Sequence, residues 1–110
     1  MSERGENSAC RRALPRAEFR RWVDLSSHGQ RRRVTGLDLS SHGIGLSSPN
    51  PIPARALVKS EFFLPRIEIP LELDGIVMWC DPVAARLGVR FQFVEPSLAE
   101  LIANYVAGRL

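Results

Sequence analysis

Two short polar clusters, separated by residues 17–37, contain the side chains of this chain that are best suited to bind a ligand. The first is Arg11-Arg12-Ala13-Leu14-Pro15-Arg16, with three guanidinium groups. The second is Asp38-Leu39-Ser40-Ser41-His42-Gly43, with a carboxylate, a hydroxyl and a glycine at a turn. An arginine forms paired hydrogen bonds with a phosphate or with the O6 and N7 edge of guanine, and a carboxylate accepts hydrogen bonds from guanine N1 and N2. The two clusters together indicate a ligand that carries phosphates and a purine.

The two clusters resemble the sequence motifs of the PilZ domain family. The first resembles its RxxxR element through Arg12 and Arg16, with Arg11 as the additional arginine that the family often carries. The second resembles its (D/N)xSxxG element through three residues, Asp38, Ser40 and Gly43. RxxxR alone arises often by chance in an arginine-rich chain, so the order, the spacing and the strands that follow make the resemblance specific. It covers the chain from residue 11 onwards, which we take as a PilZ-like domain spanning 11–110.

This resemblance implies a fold and a ligand. The fold is mainly β, a six-stranded antiparallel split barrel with a C-terminal α-helix. The ligand is the bacterial second messenger cyclic di-GMP, held by the motif residues without catalysis, cofactor or metal. In some family members a strand tryptophan at the place of Trp79 lies beside the guanine, and Arg90 is a weaker candidate of the same kind. The family often stacks two ligand molecules on one site, so two ligands per chain are an expected stoichiometry.

Composition favours a single small domain that does not cross a membrane. The chain has 110 residues, of which 45% are hydrophobic, and this amounts to one domain with a modest core. Residues 1–10 are polar, which predicts a disordered tail and no secretory signal. No stretch approaches the roughly 18 apolar residues of a membrane span. Cys10 and Cys80 stand in unlike contexts, and two free thiols in a reducing cytoplasm are the simpler interpretation.

The positive charge is concentrated around the two clusters. Residues 1–40 have a net charge of +4 and residues 41–110 a net charge of −1, so an anion would be attracted to the N-terminal part. Binding of RNA or single-stranded DNA would need aromatic residues interleaved with basic ones. The eight aromatic residues are mostly on the apolar side of their strands, so no DNA or RNA partner is expected.

Alternating apolar residues predict a series of short strands before one helix. The predicted strands are Ala17–Leu25, Gln30–Leu39, Ile44–Ser47, Leu57–Leu64, Ile67–Leu73, Ile76–Cys80 and Arg86–Val94. The fifth and sixth could instead form one long bent strand. The helix begins near Pro96 or Ser97, ends at Gly108, and buries an apolar face through Leu98, Leu101, Ile102, Tyr105 and Val106.

The hexapeptide of the second cluster occurs twice. Residues 24–29 and 38–43 both read Asp-Leu-Ser-Ser-His-Gly, and in each copy the end of a predicted strand leads into a polar turn. Only Gly43 is followed by the short apolar run Ile-Gly-Leu-Ser that the family motif requires. We therefore assign the binding turn to the second copy and expect an ordinary hairpin at the first.

These residues favour a receptor in which the ligand orders an arginine arm. Without ligand, residues 11–16 are expected to be mobile, because their positive charges repel one another. The anionic ligand would draw them against Asp38 and Ser40 and change the surface shown to an effector protein, for example motility or exopolysaccharide machinery. The alternative is a PilZ-like adaptor that contacts proteins and binds no nucleotide.

Overall fold

A computed structural model describes residues 15–50 and 52–110 of the chain. The elements, in chain order, are β1 Arg16–Glu18, β2 Trp22–Ser27, β3 Gln30–Ser40, β4 Gly43–Ser47, β5 Leu57–Phe62, β6 Leu71–Asp81, β7 Arg86–Gln92 and α1 Pro96–Val106. The predicted tail of residues 1–10 and two of the predicted ligand-binding residues, Arg11 and Arg12, lie outside the described residues. In the described part of the chain, no helix is both long and apolar enough to cross a membrane.

Six strands close into an antiparallel barrel in the order β3-β2-β5-β6-β7-β4, and β4 returns to pair with β3. The eleven-residue β3 makes the closure possible, because it pairs with β2 along its first half and with β4 along its second half. Strand β1 lies outside this ring and pairs with the end of β3, with Arg16 opposite Ser40 and Glu18 opposite Asp38. The predicted six-stranded barrel with a C-terminal helix is confirmed.

The barrel interior is filled by the apolar residues that alternate along each strand. Val23 and Leu25 of β2 and Leu87 and Val89 of β7 are at most 3% exposed. Their strand neighbours point outward, as the two-residue period of a β-strand requires. Trp22 is 64% exposed on the outer face, as its position out of phase with the apolar residues predicts.

The helix α1 packs its apolar face against the barrel as predicted. Ile102 is fully buried, and the rest of the packed face consists of Leu98, Leu101, Tyr105 and Val106. The rings of Tyr105 and Phe19 pack edge to face, with their centroids 5.6 Å apart. The Tyr105 hydroxyl donates a hydrogen bond to the carbonyl of Glu18. These contacts fix α1 beside β1.

Strand β6 is one long strand and not the two strands, Ile67–Leu73 and Ile76–Cys80, that the alternation predicted first. Residues 67–70 lie outside any strand, because Pro65 and Pro70 cannot donate to a ladder. Asp74 and Gly75 form no turn but continue β6, which is the single long strand that the sequence left open. The ladder between β6 and β7 shifts register between Val77 and Trp79.

The predicted first strand is interrupted and becomes β1 and β2. The break at Phe19–Arg21 lies against Gly36, whose N–H donates to the Arg21 carbonyl while the Phe19 N–H donates to the Leu37 carbonyl. A Cβ on Gly36 would lie 2.5 Å from the Phe19 carbonyl oxygen. The close approach of the two backbones at this glycine bends the chain, and Arg16 becomes the first residue of β1.

Candidate functional site

The turn between β3 and β4 is held by Ser40. Its Oγ accepts hydrogen bonds from the backbone N–H groups of His42 and Gly43, both at 3.2 Å, and the side chain is buried. A serine that bonds the backbone two and three residues ahead fixes the turn locally. Gly43 has no space for a side chain, because a Cβ there would overlap the carbonyl oxygen of Val89 in β7. The turn is therefore rigid and lies directly against β7.

An ion pair joins the two sequence clusters. Arg16 Nη2 lies 3.1 Å from Asp38 Oδ1, and both side chains are about two-fifths exposed, at 43% and 42%. Asp38 belongs to strand β3, in agreement with its place in the predicted strand Gln30–Leu39. The pair forms because β1 adds to the end of β3 and brings Arg16 alongside that strand.

A cavity of about 440 Å³ opens next to this ion pair. Four of the residues predicted to bind a ligand line it: Arg16, Ser40, Gly43 and Trp79. The other lining residues are His42, Ile44, Met78, Gly88, Val89 and Arg90. Asp38 does not line the cavity, and it reaches the cavity wall only through its contact with Arg16. The structure thus brings together residues from β1, β3, β4, β6 and β7.

The cavity wall is positively charged in the described part of the chain. Arg16 and Arg90 both line it, and no aspartate or glutamate does. Arg90 is exposed on β7, where it lies opposite Gly43 of β4. An anion in the cavity would therefore meet two guanidinium groups and no described carboxylate in the wall.

Trp79 is an outer-surface residue and not part of the barrel core. It is 50% exposed, as is the adjacent Met78, because the register shift in β6 lets both side chains point outward. An aromatic face left open beside two arginines is suited to stacking with a planar base. Ile76 to Cys80 reads as a regular strand, so the shift was not predictable. Met78 was therefore not predicted to line the site.

The first copy of the hexapeptide has another role. Asp24 accepts hydrogen bonds from Arg31 and Arg33, each at 3.2 Å, and Arg31 also bonds Glu61. Burial of the Asp24 carboxyl acts to raise its pKa, but the hydrogen bonds and charges of Arg33 and Arg31 outweigh it, so that the pKa lies below its ordinary value. This copy is part of a surface ion-pair network on β2, β3 and β5.

Metal binding finds no support in the described residues, which contain no group of three histidine, cysteine, aspartate or glutamate side chains placed to hold an ion. The residues that line the cavity offer guanidinium groups, an indole and a rigid turn for binding a ligand.

The closed six-stranded barrel, the added strand β1 and the packed C-terminal helix define a small β-barrel domain with a ligand-sized cavity on its outer face. The PilZ domain family profile matches residues 11–108, and the chain belongs to this family. Among curated proteins, none gives a significant match to this sequence.

Solved structures with the same fold include three informative neighbours. The inhibitor of motility MotI/DgrA of Bacillus subtilis aligns with a TM-score of 0.71 and 13% identity over 87% of this chain and 49% of its own. PlzA of Borreliella burgdorferi, in complex with c-di-GMP, aligns with a TM-score of 0.63 and 18% identity over 79% of this chain and 33% of its own. The PilZ domain of Escherichia coli YcgR with c-di-GMP aligns with a TM-score of 0.66 and 16% identity over 89% of this chain and 90% of its own. The chain thus spans about half of MotI/DgrA and a third of PlzA.

Proposed function

We propose that this chain is a non-enzymatic receptor for cyclic di-GMP, and that the cavity beside Arg16 and Asp38 holds the ligand. The observation that carries the proposal is the cavity wall, where Arg16 and Arg90 lie beside the half-exposed indole of Trp79. A ligand with two phosphates and planar bases matches this wall, because phosphates bind guanidinium groups and bases stack on aromatic rings. PlzA and the PilZ domain of YcgR have the same fold and are complexes with c-di-GMP, which supports this choice of ligand.

The ion pair between Arg16 and Asp38 is suited to open on binding. A pair between exposed side chains contributes only about 0–1 kcal/mol, so its opening costs little. A ligand phosphate or the O6 and N7 edge of guanine can take the guanidinium of Arg16. The Asp38 carboxylate then becomes free to accept hydrogen bonds from guanine N1 and N2. Arg11 and Arg12 complete the proposed site from the preceding segment.

A receptor of this kind acts by changing the surface that it presents. Binding draws the segment before β1 onto the cavity, and the ligand favours the closed arrangement by its higher affinity for that arrangement. The signal then passes to an effector protein in the bacterial cytoplasm. Motility machinery and exopolysaccharide machinery are both compatible with the proposal.

Calorimetric titration of the purified chain with cyclic di-GMP tests the proposal. We expect saturable binding, with a ratio of two ligands per chain if two molecules stack and one if they do not. Cyclic di-AMP and GMP are the matched ligands, and both should bind more weakly. A folded chain that releases no heat with cyclic di-GMP would contradict the receptor and favour the adaptor that binds no nucleotide.

A further inference from the structure

Four residues form one row across the outer face of the barrel. Asp38 of β3 lies opposite Gly45 of β4, Gly45 opposite Gly88 of β7, and Gly88 opposite Trp79 of β6. The strand neighbours of both glycines are buried in the core, so positions 45 and 88 face outward. The row therefore runs from the carboxylate to the indole over two positions without side chains.

Both end groups of the row lie over the glycine next to them. A Cβ on Gly88 would overlap the indole of Trp79, with Cε2 at 2.5 Å and Cζ2 at 2.9 Å. A Cβ on Gly45 would lie 2.7 Å from Oδ1 of Asp38, the same oxygen that pairs with Arg16. The indole thus rests on the backbone of β7 and the carboxylate on the backbone of β4.

Backbone conformation does not explain either glycine. The described glycines with positive φ are Gly29 and Gly108, and neither Gly45 nor Gly88 is among them. An alanine could adopt the backbone angles at both positions. What the two glycines provide is space for the neighbouring side chain.

We propose that Gly88 and Gly45 are positioning residues of the ligand site, in an inference that rests on the proposed function. Gly88 lets the Trp79 indole lie flat, with its free face turned to a base of the ligand. Gly45 lets the Asp38 carboxylate lie close to the backbone of β4, within reach of Arg16 and of a guanine edge. A methyl group at position 88 lifts the indole into the cavity, and one at position 45 turns the carboxylate away from Arg16.

The test for Gly88 is a double-mutant cycle with Trp79. The parent is Trp22→Phe, which leaves Trp79 as the single tryptophan and changes a residue outside the cavity. Gly88→Ala should weaken cyclic di-GMP binding about tenfold, as expected when a stacking partner is displaced. It should also make Trp79 fluorescence more accessible to acrylamide, while the melting temperature changes little because the indole can rotate. In the Trp79→Ala background, adding Gly88→Ala should cause no further loss.

The test for Gly45 compares the affinities for a guanine and an adenine dinucleotide. Gly45→Ala should weaken cyclic di-GMP about tenfold and leave cyclic di-AMP almost unchanged, because only guanine donates from N1 and N2 to a carboxylate. In the Asp38→Ala background, adding Gly45→Ala should have no effect. Gly88→Ala should instead weaken both ligands, since every base can stack.

Failure of the proposed function and failure of the positioning role give different experimental results. If the parent chain binds no cyclic di-GMP, the proposed function falls and the positioning role falls with it. If the parent binds but Gly88→Ala and Trp79→Ala lose affinity additively, or Trp79 quenching is unchanged, the positioning role of Gly88 is wrong while the receptor stands. Equal losses for both ligands in Gly45→Ala would likewise overturn the role of Gly45.

Discussion

Arg16 Nη2 lies 3.1 Å from Asp38 Oδ1, and this contact joins the arginine cluster to the second copy of a repeated hexapeptide. The contact depends on β1, a strand of three residues outside the barrel that pairs with the last residues of β3. The hydrogen bond from Tyr105 to the Glu18 carbonyl ties the same strand to α1. A movement of Arg16 toward a ligand would therefore act on the strand that contacts the helix.

Replacing Arg16 by alanine should abolish or sharply weaken cyclic di-GMP binding while the fold remains intact. The arginine is exposed and its pair with Asp38 adds little stability, whereas a lost charge-assisted hydrogen bond to the ligand costs about 1.5–3 kcal/mol. This corresponds to a roughly ten- to hundredfold rise in the dissociation constant, measurable by calorimetry.

Arg20→Ala is the matched control for this variant. Arg20 is also exposed and ion-paired, with Glu18, but it does not line the cavity. Its removal should leave the affinity almost unchanged. If both variants bind equally well, Arg16 makes no contact with the ligand; if both lose affinity equally, only the general positive charge matters.

Replacing Asp38 by alanine should reduce the affinity for cyclic di-GMP more than that for cyclic di-AMP. The carboxylate can accept hydrogen bonds from guanine N1 and N2, and adenine offers no such pair of donors. The loss of hydrogen bonds to a charged group predicts about tenfold weaker binding of the guanine ligand or more. Parallel titrations with the two dinucleotides measure the difference. Equal losses would mean that Asp38 acts only by holding Arg16.

The two glycines that end the repeated hexapeptides should respond oppositely to asparagine. Gly29 has a φ of +76° and no atom within 4 Å of a Cβ, so Gly29→Asn should be tolerated, since asparagine accepts this conformation. At Gly43 the Cβ would overlap the Val89 carbonyl of β7, and Gly43→Asn should cost about 1–3 kcal/mol or more. Thermal unfolding of the two variants measures the contrast. Similar melting temperatures would contradict the close approach of β4 and β7.

The ion pairs of Asp24 should make stability depend on acid pH. Because Arg33 and Arg31 hold the pKa of Asp24 below its ordinary value near 3.8, the charged carboxylate favours the folded state. This contribution is present above the unfolded pKa and is lost as the pH falls through the lower folded pKa. Urea unfolding of wild type and Asp24→Asn should therefore differ at pH 7 and converge in the acid range. A difference that does not change with pH would assign the effect to packing.

Strand alternation was sufficient to predict most of the strands and their buried faces, because each strand has one face in a single core. The closure of six strands into a barrel was expected from the family resemblance. Val23, Leu25, Leu87 and Val89 are buried where their spacing placed them. The break between β1 and β2 was not predictable, since it arises where the backbone of Phe19 approaches the β3 strand. Contacts of that kind join residues far apart in the chain and leave no local pattern.

The candidate site was predictable in its residue types but not in its shape. The motif spacing pointed to Arg16, Ser40 and Gly43, and the structure gathers all three at one cavity. Met78 and Gly88 were not predicted to line the site. Met78 faces outward because of the register shift in β6, and Gly88 matters because the indole of Trp79 covers it. A single glycine in an apolar strand offered only a weak signal of close approach.

The two copies of Asp-Leu-Ser-Ser-His-Gly separate what the sequence determines from what the tertiary structure decides. Local sequence determines in both that the leucine is buried and that a polar two-residue turn follows a strand. The turn nevertheless consists of residues 28–29 in the first copy and residues 41–42 in the second, one position earlier in the hexapeptide. The second copy lies against β7, whose backbone leaves no space beside Gly43, while the first faces open space at Gly29. The same six residues therefore allow two turns, and packing against the neighbouring strands determines which of them forms.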